Sequence, residues 1–163
     1  MINTALVSFG MSGKVFHAPF IATNPNFNLV GSWERSSKNI EAAYPGTKSY
    51  NSYEELLADT NIDLVVVNSP NDSHYAYTKS ALLAGKHVVC EKAFTNTSAE
   101  AQELDELANK KGLKLAVYQN RRYDADFLTL QKLIREDAIG ELTDVQISFE
   151  RYRTTLSPKK HKE

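Results

Sequence analysis

Residues Leu64 to Asn68 read LVVVN, an apolar run broken only at its end. A strand with one wet face alternates apolar and polar residues. An unbroken run fits a parallel strand covered on both faces. His87 to Cys90 has the same character, and Lys114 to Tyr118 reads as a further strand. Thr4 to Phe9, Asn28 to Trp33 and Lys48 to Tyr50 supply three more short strands. Helical stretches separate them. Ser52 with Glu55, and Thr97 with Glu100, have capping-box spacing, in which hydroxyl and carboxylate each satisfy a free backbone donor. Asn71 or Asp72 is placed to cap the helix that stops at Gly85, and Gly112 ends the one after it. The first helix should run from about Gly13 and kink at Pro19, which has no N–H to donate. A short helix passes through Ile40 and Ala43 and ends at Pro45-Gly46. Strands alternating with helices over short loops imply right-handed βαβ units, hence an α/β fold with a doubly wound parallel sheet.

The pattern changes after Tyr118. Asp124 to Arg135 reads as a helix with Phe127, Leu130, Leu133 and Ile134 on one face. From Thr143 to Arg151 apolar and polar residues alternate, with Val145, Ile147 and Phe149 pointing one way. That is a half-exposed strand, usual in an antiparallel sheet. It points to a second, α+β domain. Residues 1–120 form the first domain, and residues 121–163 a linker helix and the start of the second. One strand cannot make a sheet, so the polypeptide reads as truncated. An unpaired edge of this kind should seek a partner, which predicts a homo-oligomer.

Composition narrows the function. The chain has 163 residues and a formal net charge of −1, with both signs interspersed. A nucleic-acid binder usually carries a basic face, so no nucleic-acid partner is expected, and Lys159 to Lys162 read as a solvated tail. The apolar runs are too short to span a bilayer, and the first strand leaves no room for a leader. Cys90 is the one cysteine, so no internal disulfide is possible, and it reads as a small buried apolar residue. A cytoplasmic protein is expected. His17, His74, His87 and His161 match no metal-ligand spacing, so no metal is expected.

The chemistry concentrates where strands end. Ser8-Phe9-Gly10-Met11-Ser12-Gly13 follows the first strand and nearly matches the dinucleotide fingerprint G-x-G-x-x-G. There the first glycine makes the turn, the second admits a pyrophosphate and the third lets helix and strand pack closely. Ser8 holds the first position, tolerable if its φ stays negative. A helix start also favours phosphate. An acidic residue should follow about 20 positions on to hold the ribose hydroxyls, and Glu34 stands there. Arg35, Ser36, Ser37 and Lys38 come next and suit the 2′-phosphate of NADP, which Glu34 would repel unless turned away. Both NAD and NADP stay open, with the balance on NADP. Ser69, Pro70, Asn71 and His74 follow the fourth strand, Glu91 and Lys92 the fifth, and Asn120 and Arg121 the last. These are the strand ends at which open α/β sheets bind ligands. Lys92 could donate to a substrate oxygen or be an ordinary surface lysine.

Together, SFGMSGKVFHAPF, ERSS, DLVVVNSPNDSHY, AGKHVVCEKAF and YQNRRYDADFLTLQKLI resemble the glucose–fructose oxidoreductase / inositol dehydrogenase family, written Gfo/Idh/MocA, over essentially the whole chain. The wording of GKVFH and NRRYDADFLT looks closest to its NADP-linked scyllo-inositol dehydrogenase branch. The resemblance implies a Rossmann domain followed by an open, mostly antiparallel sheet. It also implies hydride transfer between a polyol, sugar or inositol carbinol and the nicotinamide. It makes Lys92 the catalytic lysine, set between nicotinamide and substrate hydroxyl. The cofactor would be lined by Gly10, Met11, Ser12, Gly13, Val15, Phe16, the Glu34 to Ser36 turn, Ser69 to Asn71, His74 and Glu91. Asn120 and Arg121 would lie beside nicotinamide and substrate. Some relatives use the fold as a cofactor-sensing regulator without catalysis, which is the competing reading.

Three departures stand out. Ser8 replaces a glycine. Ala93 replaces the proline of Glu-Lys-Pro, whose peptide bond is commonly cis in relatives. A non-proline cis bond costs ~2.5–4 kcal/mol, so Lys92 is expected to be held differently. The family's histidine acid/base is absent from these residues, so the chain by itself is expected to bind cofactor without turnover.

Overall fold

The computed structural model describes residues 1–34, 37–150, 152 and 154–155. Contacts divide the chain into two compact units, Met1–Gln119 and Asn120–Glu163.

The first unit is built on six strands: β1 (Ile2–Leu6), β2 (Phe27–Trp33), β3 (Lys48–Tyr50), β4 (Leu64–Val67), β5 (His87–Cys90) and β6 (Leu115–Val117). They lie in the order β3-β2-β1-β4-β5-β6, with every pairing parallel. This is the Rossmann order, and its direction reverses between β1 and β4. The helices are α1 (Ala18–Thr23), α2 (Ile40–Ala43), α3 (Tyr53–Ala58), α4 (His74–Leu83) and α5 (Ser98–Lys111).

The unbroken apolar runs are explained by two cores. Side chains alternate faces along a strand. Ala5, Val7, Val65 and Val67 point into one cluster with Leu56 of α3, Leu82 of α4 and Leu104 of α5. Leu6 and Val66 point into the other, with Ala18 of α1 and Ile40 of α2. Cys90 belongs to the first cluster and is fully buried. Burial pushes its thiol up to about 11. The thiolate is the reactive form. Cys90 should therefore resist a thiol reagent such as dithionitrobenzoate at neutral pH and titrate as one thiol once the chain is unfolded. Rapid labelling of the folded chain would refute this.

Gly31 is needed for a close approach. A Cβ there would stand 2.0 Å from the carbonyl oxygen of Lys48 on β3.

Three local expectations change. The irregularity expected at Pro19 is present, but it falls just before the proline, where His17 leaves helical geometry. Met11 and Ser12 are already helical, and a π turn over Gly13–His17 leads into α1 with Pro19 in its first turn. Ala18 N–H donates to Gly13 O, an i→i+5 bond. The wider turn accommodates a proline that cannot bond and would crowd the preceding carbonyls. Ser52 Oγ does accept from Glu55 N–H, but Glu55 turns to Asn51 N–H and Lys48, so that box is half formed. The Thr97–Glu100 box is complete. Neither Asn71 nor Asp72 caps α4, because a 3₁₀ turn over Asn71–Ser73 intervenes and Ser73 holds Pro70 O instead.

The second unit contains a 3₁₀ turn at Asn120–Tyr123 and helix α6 (Ala125–Arg135), near its expected place. The strand expected from Thr143 to Arg151 is not found. Residues 143–150 carry no ladder, and Arg151 lies outside the described residues, as do residues 156–163. A strand is stable only within a sheet, and the described sheet is made of β1 to β6.

Candidate functional site

The site begins where β1 and β4 part. Val7 N–H still bonds across to Val66 O at 2.9 Å. One residue on, the Asn68 side chain takes over. Its Oδ1 accepts from Ser8 N–H at 2.9 Å, and its Nδ2 donates to Ser8 O at 2.7 Å. Ser8 has no positive φ, and its Oγ accepts from Gly10 N–H at 3.2 Å. The substitution at the first glycine position thus gives the turn a bond that glycine could not. Ser8→Ala should cost about 1 kcal/mol, the worth of one net hydrogen bond. Ser8→Gly should cost more, since glycine also has more unfolded-state freedom to lose. Thermal unfolding of both variants checks this, and a Ser8→Gly chain as stable as the parent would contradict it.

Gly13 is buried against the same turn. A Cβ there would meet Ser8 O at 2.4 Å and Asn68 Nδ2 at 3.1 Å. At Gly10 the nearest atom would be Ser8 Oγ at 3.4 Å, an ordinary contact. Gly13 is thus required by packing, whereas Gly10 leaves an exposed backbone for a ligand to approach.

A cavity of about 590 Å³ opens at these strand ends. It gathers Ser8, Gly10, Glu34, Ser69 and Pro70, which the sequence had singled out, with Ser37 beside them. Lys14, Trp33, Asp72 and Tyr77 also line it and had been given no part in a site. Trp33 immediately precedes Glu34, and Tyr77 lies one helical turn beyond Ser73. Only their placement by the fold reveals them.

Glu34 is committed to its own loop. Its Oε1 accepts from Ile40 N–H at 3.0 Å, and its Oε2 accepts from Ser37 Oγ at 2.9 Å and from Asn39 Nδ2 at 3.4 Å. Arg35 and Ser36 lie outside the described residues.

His74 is fully buried. Its Nδ1 lies 2.7 Å from Ala93 O and its Nε2 2.9 Å from Ser69 O. The ring therefore ties the loop after β4 to the loop after β5 and presents no surface to a ligand. Asn71 is exposed beside it.

Beyond β5, Lys92 is exposed and the Lys92–Ala93 peptide is cis. Glu91 is nearly buried and collects three donors. Ser12 Oγ lies 2.8 Å and His17 Nε2 3.0 Å from Oε1, and Lys92 N–H lies 3.2 Å from Oε2. Burial alone would raise the Glu91 carboxyl, but the bonds from His17 and Ser12 outweigh it and hold it below the usual range. The sequence reading gave neither His17 nor Asn68 a part in the site, because each acts through a partner distant along the chain. Met11, Val15 and Phe16 are exposed on the helical start. Asn120 and Arg121 belong to the second unit, where Arg121 pairs with Asp124 at 2.6 Å.

Residues 2–119 match the family described as the oxidoreductase family with NAD-binding Rossmann fold, GFO_IDH_MocA. The chain belongs to the Gfo/Idh/MocA family. An uncharacterized oxidoreductase of Schizosaccharomyces pombe is 46% identical to it over 157 residues, which cover 93% of this chain and 42% of that protein. The scyllo-inositol 2-dehydrogenase (NADP(+)) of Bacillus subtilis is 36% identical over 152 residues, 93% of this chain and 42% of that protein. A crystal structure from Bacteroides fragilis, provisionally described as an oxidoreductase, matches with a TM-score of 0.90 at 50% identity and covers 96% of this chain and 46% of that one. This Gfo/Idh/MocA chain therefore spans less than half the length of these relatives. Among the described residues no helix is long and apolar enough to cross a membrane.

Proposed function

We propose that this chain binds a nicotinamide dinucleotide, NADP in preference to NAD. In the whole protein the bound dinucleotide would exchange hydride with the hydroxyl-bearing carbon of a polyol, sugar or inositol. The observation that carries the reading is the cavity of about 590 Å³ at the β1/β4 parting, lined by Ser8, Phe9 and Gly10 of the turn. Its volume lies within the ~300–1,000 Å³ usual for small-molecule sites. The residues fit the group. Gly10 offers exposed backbone, the helical start at Met11 offers free N–H groups to a pyrophosphate, and Trp33 and Tyr77 offer apolar walls to an adenosine.

The NADP preference is supported by Glu34. Its carboxylate is taken up by Ser37, Asn39 and Ile40, so it is already occupied where a ribose 2′-hydroxyl would need it. Arg35, Ser36 and Lys38 are proposed to meet the 2′-phosphate. Met11, Ser12, Val15, Phe16, Ser69 and Asn71 are proposed to border the dinucleotide, with Asn120 and Arg121 beside nicotinamide and substrate. The bound nicotinamide would supply or accept hydride. Lys92, an exposed ammonium at the end of β5, would donate a hydrogen bond to the substrate oxygen and favour the charge that develops on it. The NADP(+)-linked inositol dehydrogenase among the relatives supports the substrate class. A cytoplasmic location fits a free, buried Cys90.

The test is a fluorescence titration of the chain with NADPH and NADH side by side. Saturable binding of both, tighter for NADPH, is expected. Tighter binding of NADH would overturn the NADP preference, and no saturable binding of either would overturn the dinucleotide reading.

A further inference from the structure

The contacts of Glu91 connect two parts of the site that the proposed chemistry would use separately. Its backbone is fixed in the sheet, since Glu91 N–H donates to Val67 O at 2.9 Å. Its side chain bridges. On one side Oε1 accepts from Ser12 Oγ at 2.8 Å, at the start of the phosphate-turn helix. On the other Oε2 accepts from Lys92 N–H at 3.2 Å. His17 holds the carboxylate from behind. A carboxylate only accepts, so the His17 Nε2 that lies 3.0 Å away carries the hydrogen. The His17 ring is itself fixed, 4.5 Å from the Tyr118 ring centroid, and Tyr118 Oη donates to Phe16 O at 3.0 Å. None of these contacts is needed to close the hydrophobic cores, and His17 is buried without reaching the cavity.

We propose that Ser12, Glu91 and His17 form a relay that reports occupancy of the phosphate turn to Lys92, with Glu91 and His17 as positioning residues. The inference rests on the dinucleotide reading above. A serine hydroxyl has one hydrogen to give. In the free turn that hydrogen goes to Glu91. A phosphate arriving at the helix start is a charged acceptor like the carboxylate; held by the backbone N–H groups of the turn, it competes for that hydrogen and takes it. Glu91 then loses one of the two donors on Oε1 and keeps His17, so its carboxylate turns about the remaining bond. Oε2 moves with it, and with Oε2 the amide of Lys92. The lysine is thereby set differently in the free and the loaded protein, before any substrate is present.

The test uses ADP, which brings adenosine and a diphosphate to the turn but has no nicotinamide to touch Lys92 directly. Amide resonances of the ¹⁵N-labelled chain are followed through the titration. In the parent, the Lys92 amide should shift with the same saturation curve as the amides of Gly10 and Met11. In Ser12→Ala the turn amides should still saturate while the Lys92 response is lost, and Ser12→Thr should restore it. His17→Phe, which keeps a ring beside Tyr118 but has no donor, should lose the response, and His17→Gln should retain it. A Lys92 amide that stays still in the parent while the turn saturates would overturn the relay alone. So would one that follows the turn equally well in Ser12→Ala. Turn amides that never respond to ADP in the parent would overturn the dinucleotide reading, and the relay with it.

Discussion

Gly31→Ala should unfold the chain at a much lower temperature than the parent. Two effects oppose each other. Alanine in a strand is ordinarily favoured over glycine by about 0.5–1 kcal/mol, through the smaller entropy it loses on folding. Against that, the new methyl would sit 2.0 Å from Lys48 O, 2.9 Å from its carbonyl carbon and 3.0 Å from its nitrogen. All three are backbone atoms of a paired strand, so no side-chain rotation relieves them. Gly31 pairs with Lys48 directly, and moving β3 away breaks the ladder that also includes Ser32–Ser49 and Trp33–Tyr50. Overpacking costs ~1–3 kcal/mol where neighbours can give, and more where they cannot. A net loss of about 3 kcal/mol corresponds to a fall in Tm of roughly 6–12 °C for a chain of this size. Thermal unfolding followed by circular dichroism measures it. An unchanged Tm would show that β3 can shift freely. Trp33 lines the cavity from the adjoining end of β2, so ligand binding should weaken along with the fold.

Gly13→Ala should damage both stability and binding. Within a helix alanine is worth about 1 kcal/mol over glycine. Here that gain is outweighed, because the methyl would lie 2.4 Å from Ser8 O, the oxygen that accepts from Asn68 Nδ2. Pushing the two apart spoils that bond and misaligns the turn. A loss of ~1–3 kcal/mol in stability is expected. NADPH affinity should fall at least tenfold, about 1.4 kcal/mol. Gly10→Ala makes the informative contrast. Its methyl meets only Ser8 Oγ, at 3.4 Å, so the fold should survive while the ligand loses its approach to the backbone. Equal stability losses in the two variants would contradict the separate roles given to these glycines.

The sheet was legible because burial on both faces leaves an unmistakable mark. Leu64 to Val67 cannot be arranged with a wet side, and the structure divides Val65 and Val67 from Val66 between two cores. The glycines of the turn were legible for a similar reason, since few other residues allow backbone to approach so closely. What stayed hidden depends on pairings that spacing does not encode. Asn68 and Ser8 are separated by 60 positions, and His17 and Glu91 by 74. Glu34 stood where a ribose ligand was expected, but its actual partners lie on its own loop. His74 matched a cofactor-lining position, yet its ring is sealed between two carbonyls. Pro19 was read as a kink because an i→i+4 helix has no room for it. The π turn is a tertiary solution to that local conflict.

The paired bonds between Asn68 and Ser8 have one further consequence. They reproduce with a side-chain amide what a neighbouring strand would offer a residue: one acceptor for its N–H and one donor for its C=O. The sheet in effect gains a rung after the two strands have diverged. The mouth of the crevice can therefore stand open without loosening its hinge end. The turn is gripped by its main chain, so position 8 is released from the demand for glycine, and Asn68 inherits that demand. A search for this kind of site that insists on the first glycine would pass over it. One that instead sought an asparagine closing the fourth strand would find it.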